Sequence, residues 1–336
     1  MRTKERRARI AIAGAGMGGA YLSRLLRKDG RDVDIFDVKS ETKCGIAACG
    51  WAASKSFLEV VSGSGLAPEK YILQQSDHLV MDAIKLKADF MTVDKPRLIR
   101  DLLAGVKVRY GHLDMAQYDR IIDATGVARA YLPSVEDEVV SSCVQCRMQT
   151  DGVLENRVTT QSGGYTWCFR LSGHDYHVGW GSYLAESWKL IDQVRWLDDT
   201  RRTFGGHAVC RCTGNIRLTA PHYCRPFVTD GARDGVWGVG EAIGCVSPLG
   251  GDGLVYAMRS AQILIDYWDD PDAYTEAILE EFSWMTKARK VLDKVIRMNR
   301  FELSDARVLK DCLERMGVWI GIQQAATILM RFRRRH

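Results

Sequence analysis

Arg9-Ile10-Ala11-Ile12-Ala13 is a short apolar run that stops at a glycine. An unbroken run of this kind suits a strand buried on both faces of a parallel sheet. The pattern then predicts a helix from about Met17 to Lys28, closed by Gly30, and Val33-Asp34-Ile35-Phe36-Asp37 reads as a second strand. The chain thus begins as strand, helix, strand.

Further on, helices are predicted over about Ala52 to Val61 and over Asp94 to Leu103, the latter with Leu98, Ile99, Leu102 and Leu103 on its apolar side. Val106 to Tyr110 is a short strand, and Tyr118 to Gly126 is a buried strand ending in a turn. From about Pro133 to Pro226 the texture changes. Short alternating runs at Val158 to Thr160, Tyr165 to Leu171, Tyr176 to Trp180 and Ile216 to Ala220 predict an antiparallel sheet, interrupted by a helix from Trp188 to Phe204. Gly235-Val236-Trp237-Gly238-Val239-Gly240 returns to the first texture. Leu254 to Trp268 reads as helix, and the chain from Pro271 onward as all helical. There is no internal repeat.

Composition narrows the class. A chain of 336 residues with 46% hydrophobic content can bury a substantial core. No stretch approaches the about 18 apolar residues of a membrane span, and the basic start lacks the apolar segment of a secretory signal. The expected location is the cytoplasm, or the cytosolic face of a membrane. Ten cysteines in such a chain are expected to be thiols. Cys143 and Cys146 form a CxxC, and Cys210, Cys212 and Cys224 form a second group. The CxxC lies in an extended run, where side chains three apart face opposite ways, which argues against a metal knuckle. His174 and His177 flank a turn and show no metal spacing. The net charge of +5 gathers at the termini. No nucleic-acid module accompanies it, leaving solvated tails or anionic lipid headgroups as its partners.

The glycines change the picture most. In Gly14-Ala15-Gly16-Met17-Gly18-Gly19, Gly14 allows a tight turn, Gly16 lets backbone approach a pyrophosphate, and Gly19 lets the helix pack on the strand. The helix offers its N-terminal amides to phosphates. Asp37 falls where a carboxylate would bind a ribose hydroxyl pair. A second stretch, Gly240-Glu241-Ala242 to Pro248-Leu249-Gly250-Gly251-Asp252-Gly253, lies far along the chain. Two such stretches fit one nucleotide site from which the chain departs and to which it returns. That arrangement points to FAD.

Gly14-x-Gly16-x-x-Gly19, Asp123-Ala-Thr-Gly126 with Arg129, and the Gly240 to Gly253 segment resemble the flavoprotein hydroxylase superfamily. Within it, Lys43-Cys44-Gly45 and Gly163-Gly164-Tyr165-Thr166-Trp167-Cys168-Phe169 are similar to the geranylgeranyl reductase family, over roughly residues 8 to 262. Arg170 stands where that family's aromatic motif has proline, Glu241 where an aspartate is usual, and Lys95 where an arginine is usual. The resemblance implies cofactor contacts from Gly14, Gly16, Met17, Gly18, Gly19, Asp37, Val38, Lys39, Cys44, Gly45, Ala47, Lys95, Asp123 and Glu241. It adds Pro248, Gly250, Gly251, Asp252, Gly253 and Leu254 at the flavin's pyrimidine edge, where a helix N-terminus stabilises developing negative charge. Cys44 would lie beside the ring system, as a structural thiol or a catalytic proton source. Tyr165, Trp167 and Phe169 project from one strand face, as sheet packing or as an apolar substrate wall.

The expected fold class is α/β. A discontinuous Rossmann-like FAD-binding domain covers residues 1–132 and 227–268, an antiparallel β-sheet substrate domain 133–226, and a C-terminal helical segment 269–336. The expected function is FAD-dependent saturation of carbon–carbon double bonds in a geranylgeranyl-type prenyl chain. Its alternatives are a monooxygenase of an apolar substrate and a non-catalytic flavin-binding lipid carrier. The partners expected are a prenyl lipid and an electron donor among NAD(P)H, deazaflavin and ferredoxin. Gly317 to Met330 is apolar but too short to span a bilayer, and Arg331, Arg333, Arg334 and Arg335 follow it. It would lie in a membrane interface, or pack onto the substrate domain and close a lipid tunnel.

Overall fold

A computed structural model of the chain describes residues 8–38, 49–161, 163–183, 199, 202–203, 205–297 and 300–332. Two sheets organise it. The first contains β1 (Ile10–Ala13), β2 (Val33–Asp37), β6 (Val108–Tyr110), β7 (Arg120–Asp123), β13 (Val228–Thr229) and β14 (Val236–Gly238). Its order is β13-β14-β7-β1-β2-β6, parallel except for the β13–β14 pair. β1 is central, with Ile12 level with Ile35 and Ile122, and all three are buried. That burial is why its sequence is apolar at every position.

Helix α1 (Met17–Lys28) packs Tyr21, Leu22 and Leu26 inward and carries Arg27 and Lys28 in its last turn, where cations suit the dipole. Each fully buried side chain of that size contributes roughly 1.5–3 kcal/mol. Helices α2 (Ser56–Gly63) and α3 (Lys95–Leu102) follow, then α4 (Leu254–Asp266), which packs against α1. Asp94 caps α3 by accepting a hydrogen bond from the Arg97 amide at 3.1 Å.

The second sheet contains β3 (Ala52–Ala53), β4 (Ile72–Met81), β5 (Ile84–Val93), β8 (Val140–Gln149), β9 (Arg157–Gln161), β10 (Gly164–Ser172), β11 (Asp175–Ser182), β12 (His207–Arg217) and β15 (Val318–Trp319). Its order is β12-β8-β11-β10-β9-β4-β5-β15, with β3 on β5. Two expectations change here. Residues 72–93, placed with the nucleotide-binding half by sequence, form two strands of this second sheet. Residues 318–319, expected in an all-helical segment, pair with β5 at its edge. The sheet is also not wholly antiparallel, because β4 runs parallel to β9. The predicted helix over 188–204 lies almost wholly outside the described residues.

The C-terminal helices α5 (Pro271–Glu281), α6 (Ser283–Ile296), α7 (Leu303–Arg315) and α8 (Ile322–Arg331) complete the chain. One core surrounds the parallel sheet. A second joins the other sheet to Val291, Leu292, Leu309, Leu313, Ile328 and Leu329. Among the described residues no helix is long and apolar enough to cross a membrane.

Candidate functional site

The C-terminal ends of β1, β2 and β7 converge on the first glycine loop. Gly14 has φ +104°, and its amide donates to the Phe36 carbonyl at 2.7 Å. A Cβ there would strike the Ala124 carbonyl, so only glycine fits the turn. A Cβ on Gly19 would collide with the Gly14 carbonyl oxygen, so this glycine sets how closely α1 packs on β1. Gly18 faces Ala257 and Val239 at ordinary contact distance and belongs to the packing of α1 against α4. Gly16 differs: a Cβ there meets nothing within 4 Å. The loop therefore presents open space at the N-terminus of α1, where no side chain caps the helix and no acid stands in the first turn. An anion is the group such an end accepts. Met17 contributes backbone there, its side chain being buried.

Asp37 ends β2. Its Oδ2 accepts from the Ala15 amide at 3.0 Å and its Oδ1 from the Val38 amide at 2.7 Å, which fixes the carboxylate beside the loop. Each oxygen keeps an acceptor position. Val38 is exposed beside it. Asp123 ends β7 and corrects an expectation. Its Oδ1 accepts from the amide and hydroxyl of Thr125, and its Oδ2 from the amides of Tyr131 and Leu132. Fully buried and fully occupied, it folds the loop rather than facing a ligand. Arg129 likewise donates to the carbonyls of Pro133, Ala242 and Pro226, tying the departing and returning segments together.

Glu241 accepts from the Arg217 amide at 2.7 Å, and burial raises its carboxyl above the ordinary range. Arg217 is itself buried, paired with Glu138 at 2.5 Å and donating to the Val127 carbonyl at 2.6 Å. Burial raises the Asp252 carboxyl as well, and Lys95, at the start of α3, stands close enough to oppose the rise at both acids without cancelling it. The structure thus brings Lys95 near Glu241 and Asp252, the two acids of the second glycine stretch.

Beyond the second glycine loop lies an apolar cavity of about 200 Å³. Gly250, Gly251, Asp252, Gly253 and Leu254 form one end, beside the N-terminus of α4; Pro248 is buried behind them. Tyr165, Trp167 and Phe169 all line it, so the alternation in β10 does face a cavity. Their roles are not uniform. Tyr165 donates its hydroxyl to the Gly250 carbonyl at 2.6 Å, and Tyr183 donates to Leu249 at 2.7 Å. Two phenols therefore staple the glycine loop to the sheet, and burial raises both well above the usual phenol range. Trp167 donates to Gln145 Oε1 at 3.1 Å, and Phe169 packs on Phe90 with ring centroids 4.9 Å apart.

The remaining wall escaped sequence reading. Leu79, Met81 and Phe90 come from β4 and β5, Leu309 and Leu313 from α7, and Ile328 and Phe332 from the chain's end. Their alternation and helical spacing mark them as core, and the same marks serve a cavity wall. The end of the chain packs on the sheet, with Ala325, Ile328 and Leu329 buried, which is the second of the two arrangements considered for it.

Lys39, Cys44, Gly45 and Ala47 lie outside the described residues. Cys49 and Cys143 do line the cavity, and burial pushes the Cys143 thiol up to about 12. Cys146 faces the other side of β8 and packs with Met148, Tyr176 and Val178, so the CxxC is split across the sheet. His174 sits in the turn, but His177 is buried within β11, hydrogen-bonded to the Gly50 backbone, with its ring 4.4 Å from Trp51. Burial lowers its pKa to about 3, so it is neutral.

No family model matches the chain. An uncharacterized protein of Methanocaldococcus jannaschii is 25% identical over 341 residues, spanning 85% of this chain and 89% of its own. A geranylgeranyl bacteriochlorophyll reductase-like protein from Thermoplasma acidophilum superimposes with a TM-score of 0.72 at 17% identity, over 96% of this chain and 95% of that one. A probable FAD-dependent monooxygenase from Pseudomonas aeruginosa superimposes with a TM-score of 0.60 at 16% identity, over 87% and 97%. The resemblance carried by the glycine motifs thus holds for the architecture, and the chain has the α/β fold shared by these reductase-like and monooxygenase flavoproteins.

Proposed function

We propose that the chain binds FAD and uses it to reduce double bonds in an apolar, prenyl-type chain. The observation that carries this reading is continuity: the apolar cavity opens directly onto the glycine loop at the N-terminus of α4. The open cradle at Gly16, with Asp37 fixed beside it, fits the phosphate and ribose portion of such a cofactor. When bound and reduced, FAD supplies hydride. The chain's residues do the rest. The amides beginning α4 favour negative charge at that end. Trp167, Phe169, Phe90 and the leucines of α7 hold a substrate by shape and exclude water. At about 200 Å³ the cavity is below the roughly 300–1,000 Å³ usual for ligand sites, so it takes a terminal portion of a chain.

Oxygen separates this reading from a monooxygenase on the same fold. Under anaerobic conditions, with FAD reduced chemically, geranylgeranyl diphosphate is expected to gain hydrogen, detected by mass spectrometry. Product that forms only with oxygen, and carries an oxygen atom, would replace the reductase with a monooxygenase. Bound FAD with no product in either atmosphere would leave a carrier.

A further inference from the structure

The hydrogen-donating side chains of the cavity wall are almost all engaged. Tyr165 and Tyr183 donate to the glycine loop, Ser141 to the Ser182 carbonyl, Thr160 to Asp82, and Cys143 to the Gly214 carbonyl. A group already donating to the protein must break that bond before it can give up a proton elsewhere. Among the described hydroxyl, thiol and carboxyl groups of the wall, two have no such bond: Cys49 and Asp252. Asp252 stands within the glycine loop. Its Oδ1 accepts from the Leu254 amide at 3.2 Å, which orients the carboxyl, and among the described residues no hydrogen bond engages Oδ2.

We propose that Asp252 carries the exchangeable proton of this cavity and delivers it from Oδ2 to the substrate carbon that does not receive hydride. The proposal rests on the reductive reading above and names the residue that completes it. In the step, the double bond gains two electrons with the hydride, drawn from reduced flavin. One O–H bond at Asp252 breaks as one C–H bond forms, and the carboxylate regains a proton from water. Position supports the assignment, because Asp252 lies in the loop that would border the ring system and is itself part of the cavity wall. Burial supports it as well: the carboxyl is raised from 3.8 to about 6, against the opposing pull of the Leu254 amide and Lys95. The other titratable groups around it are Tyr165 on β10 and Tyr256 on α4, both raised chiefly by burial and further by the Asp252 charge, with Cys143 and Cys49 also on the wall. No cation other than Lys95 contributes to holding Asp252 ionised among the described residues.

The test combines a titration with a rate, on the flavin-loaded full chain. Aspartate labelled with ¹³C at the carboxyl carbon gives one resonance that disappears in Asp252→Asn. It is expected to titrate near 6 rather than near the ordinary 3.8. Asp252→Asn keeps the acceptor for Leu254 and is expected to bind FAD normally. It should reduce geranylgeranyl diphosphate about 10²–10⁴-fold more slowly in anaerobic single turnovers. Asp252→Glu should recover part of that loss. An ordinary titration in an active wild type overturns the proposal alone, as does full activity in Asp252→Asn. A large loss in Cys49→Ser with none in Asp252→Asn moves the role to the thiol. Wild-type protein that leaves the prenyl probe unreduced overturns the reductive reading itself, whatever the titration shows.

Discussion

Gly16 and Gly19 are three positions apart, yet they constrain the protein differently. A side chain at Gly19 meets the backbone of Gly14, whereas one at Gly16 enters open space. Gly16→Val should therefore fold with little loss of stability and lose FAD, because the branched side chain fills the space left for the pyrophosphate. Gly19→Val should lose folded protein first. Flavin absorbance and thermal melts on the two purified variants check the pair, and flavin retained in folded Gly16→Val would misplace the phosphate. Asp252 gives a second prediction. Its folded carboxyl is raised, so relative to asparagine its burial costs nothing below about pH 4 and its full penalty above about pH 6. At matched flavin content Asp252→Asn should be more stable than wild type by up to ~3 kcal/mol at pH 8, converging on it near pH 3.5. Equal stability at both pH values would contradict the burial. At this scale the glycines were legible because steric demands act locally. The hydroxyl of Tyr165 was not, because its partner lies far away at Gly250.

At the scale of elements, β11 supports the segment that enters the cavity. His177 holds the Gly50 backbone and packs on Trp51, which adopts φ +57°. With its pKa lowered from 6.5 to about 3, the ring stays neutral in the fold while the unfolded chain takes up a proton in mild acid. Stability should therefore fall as pH drops through about 6.5 toward 3, and His177→Gln should flatten that decline. This slope opposes that of Asp252, so each is read as the difference between wild type and its own variant in denaturant titrations. An unchanged acid limb in His177→Gln would mean the ring is not buried neutral. The final helix makes the third case. Ile328→Ala should cost about 2 kcal/mol, the low end for such truncations, because the side chain already borders a cavity. A loss below about 0.5 kcal/mol would detach α8 from the sheet and restore the membrane-interface arrangement. The apolar character of this helix was plain in sequence. Its partner was not, because an amphipathic stripe suits a sheet and a lipid surface equally.

For the whole molecule, the sequence told most where chemistry repeats a local rule and least where strands pair over distance. β1, α1, β2 and β7 follow from apolar runs, glycine turns and Asp37. Residues 72–93 carry strand character too, but nothing local says which sheet they join. That assignment depends on the long-range ladder from β4 to β9 and on β15 returning from the far end of the chain. The same distance effect hid half of the cavity, since α7 and α8 reach it only after both sheets are complete. The resulting arrangement sets a polar cradle around Gly16 and Asp37 on one sheet and an apolar chamber on the other. The loop from Leu249 to Leu254 joins them, stapled by Tyr165 and Tyr183.

That junction makes the central claim measurable in one experiment. The purified chain, loaded with FAD and reduced anaerobically, is mixed with geranylgeranyl diphosphate while flavin absorbance is followed and the product is weighed by mass spectrometry. Reoxidation of the flavin without oxygen, with one pair of hydrogens added to the prenyl chain for each flavin reoxidised, is the predicted result. Flavin that stays reduced until oxygen is admitted, followed by incorporation of oxygen into the chain, would contradict it.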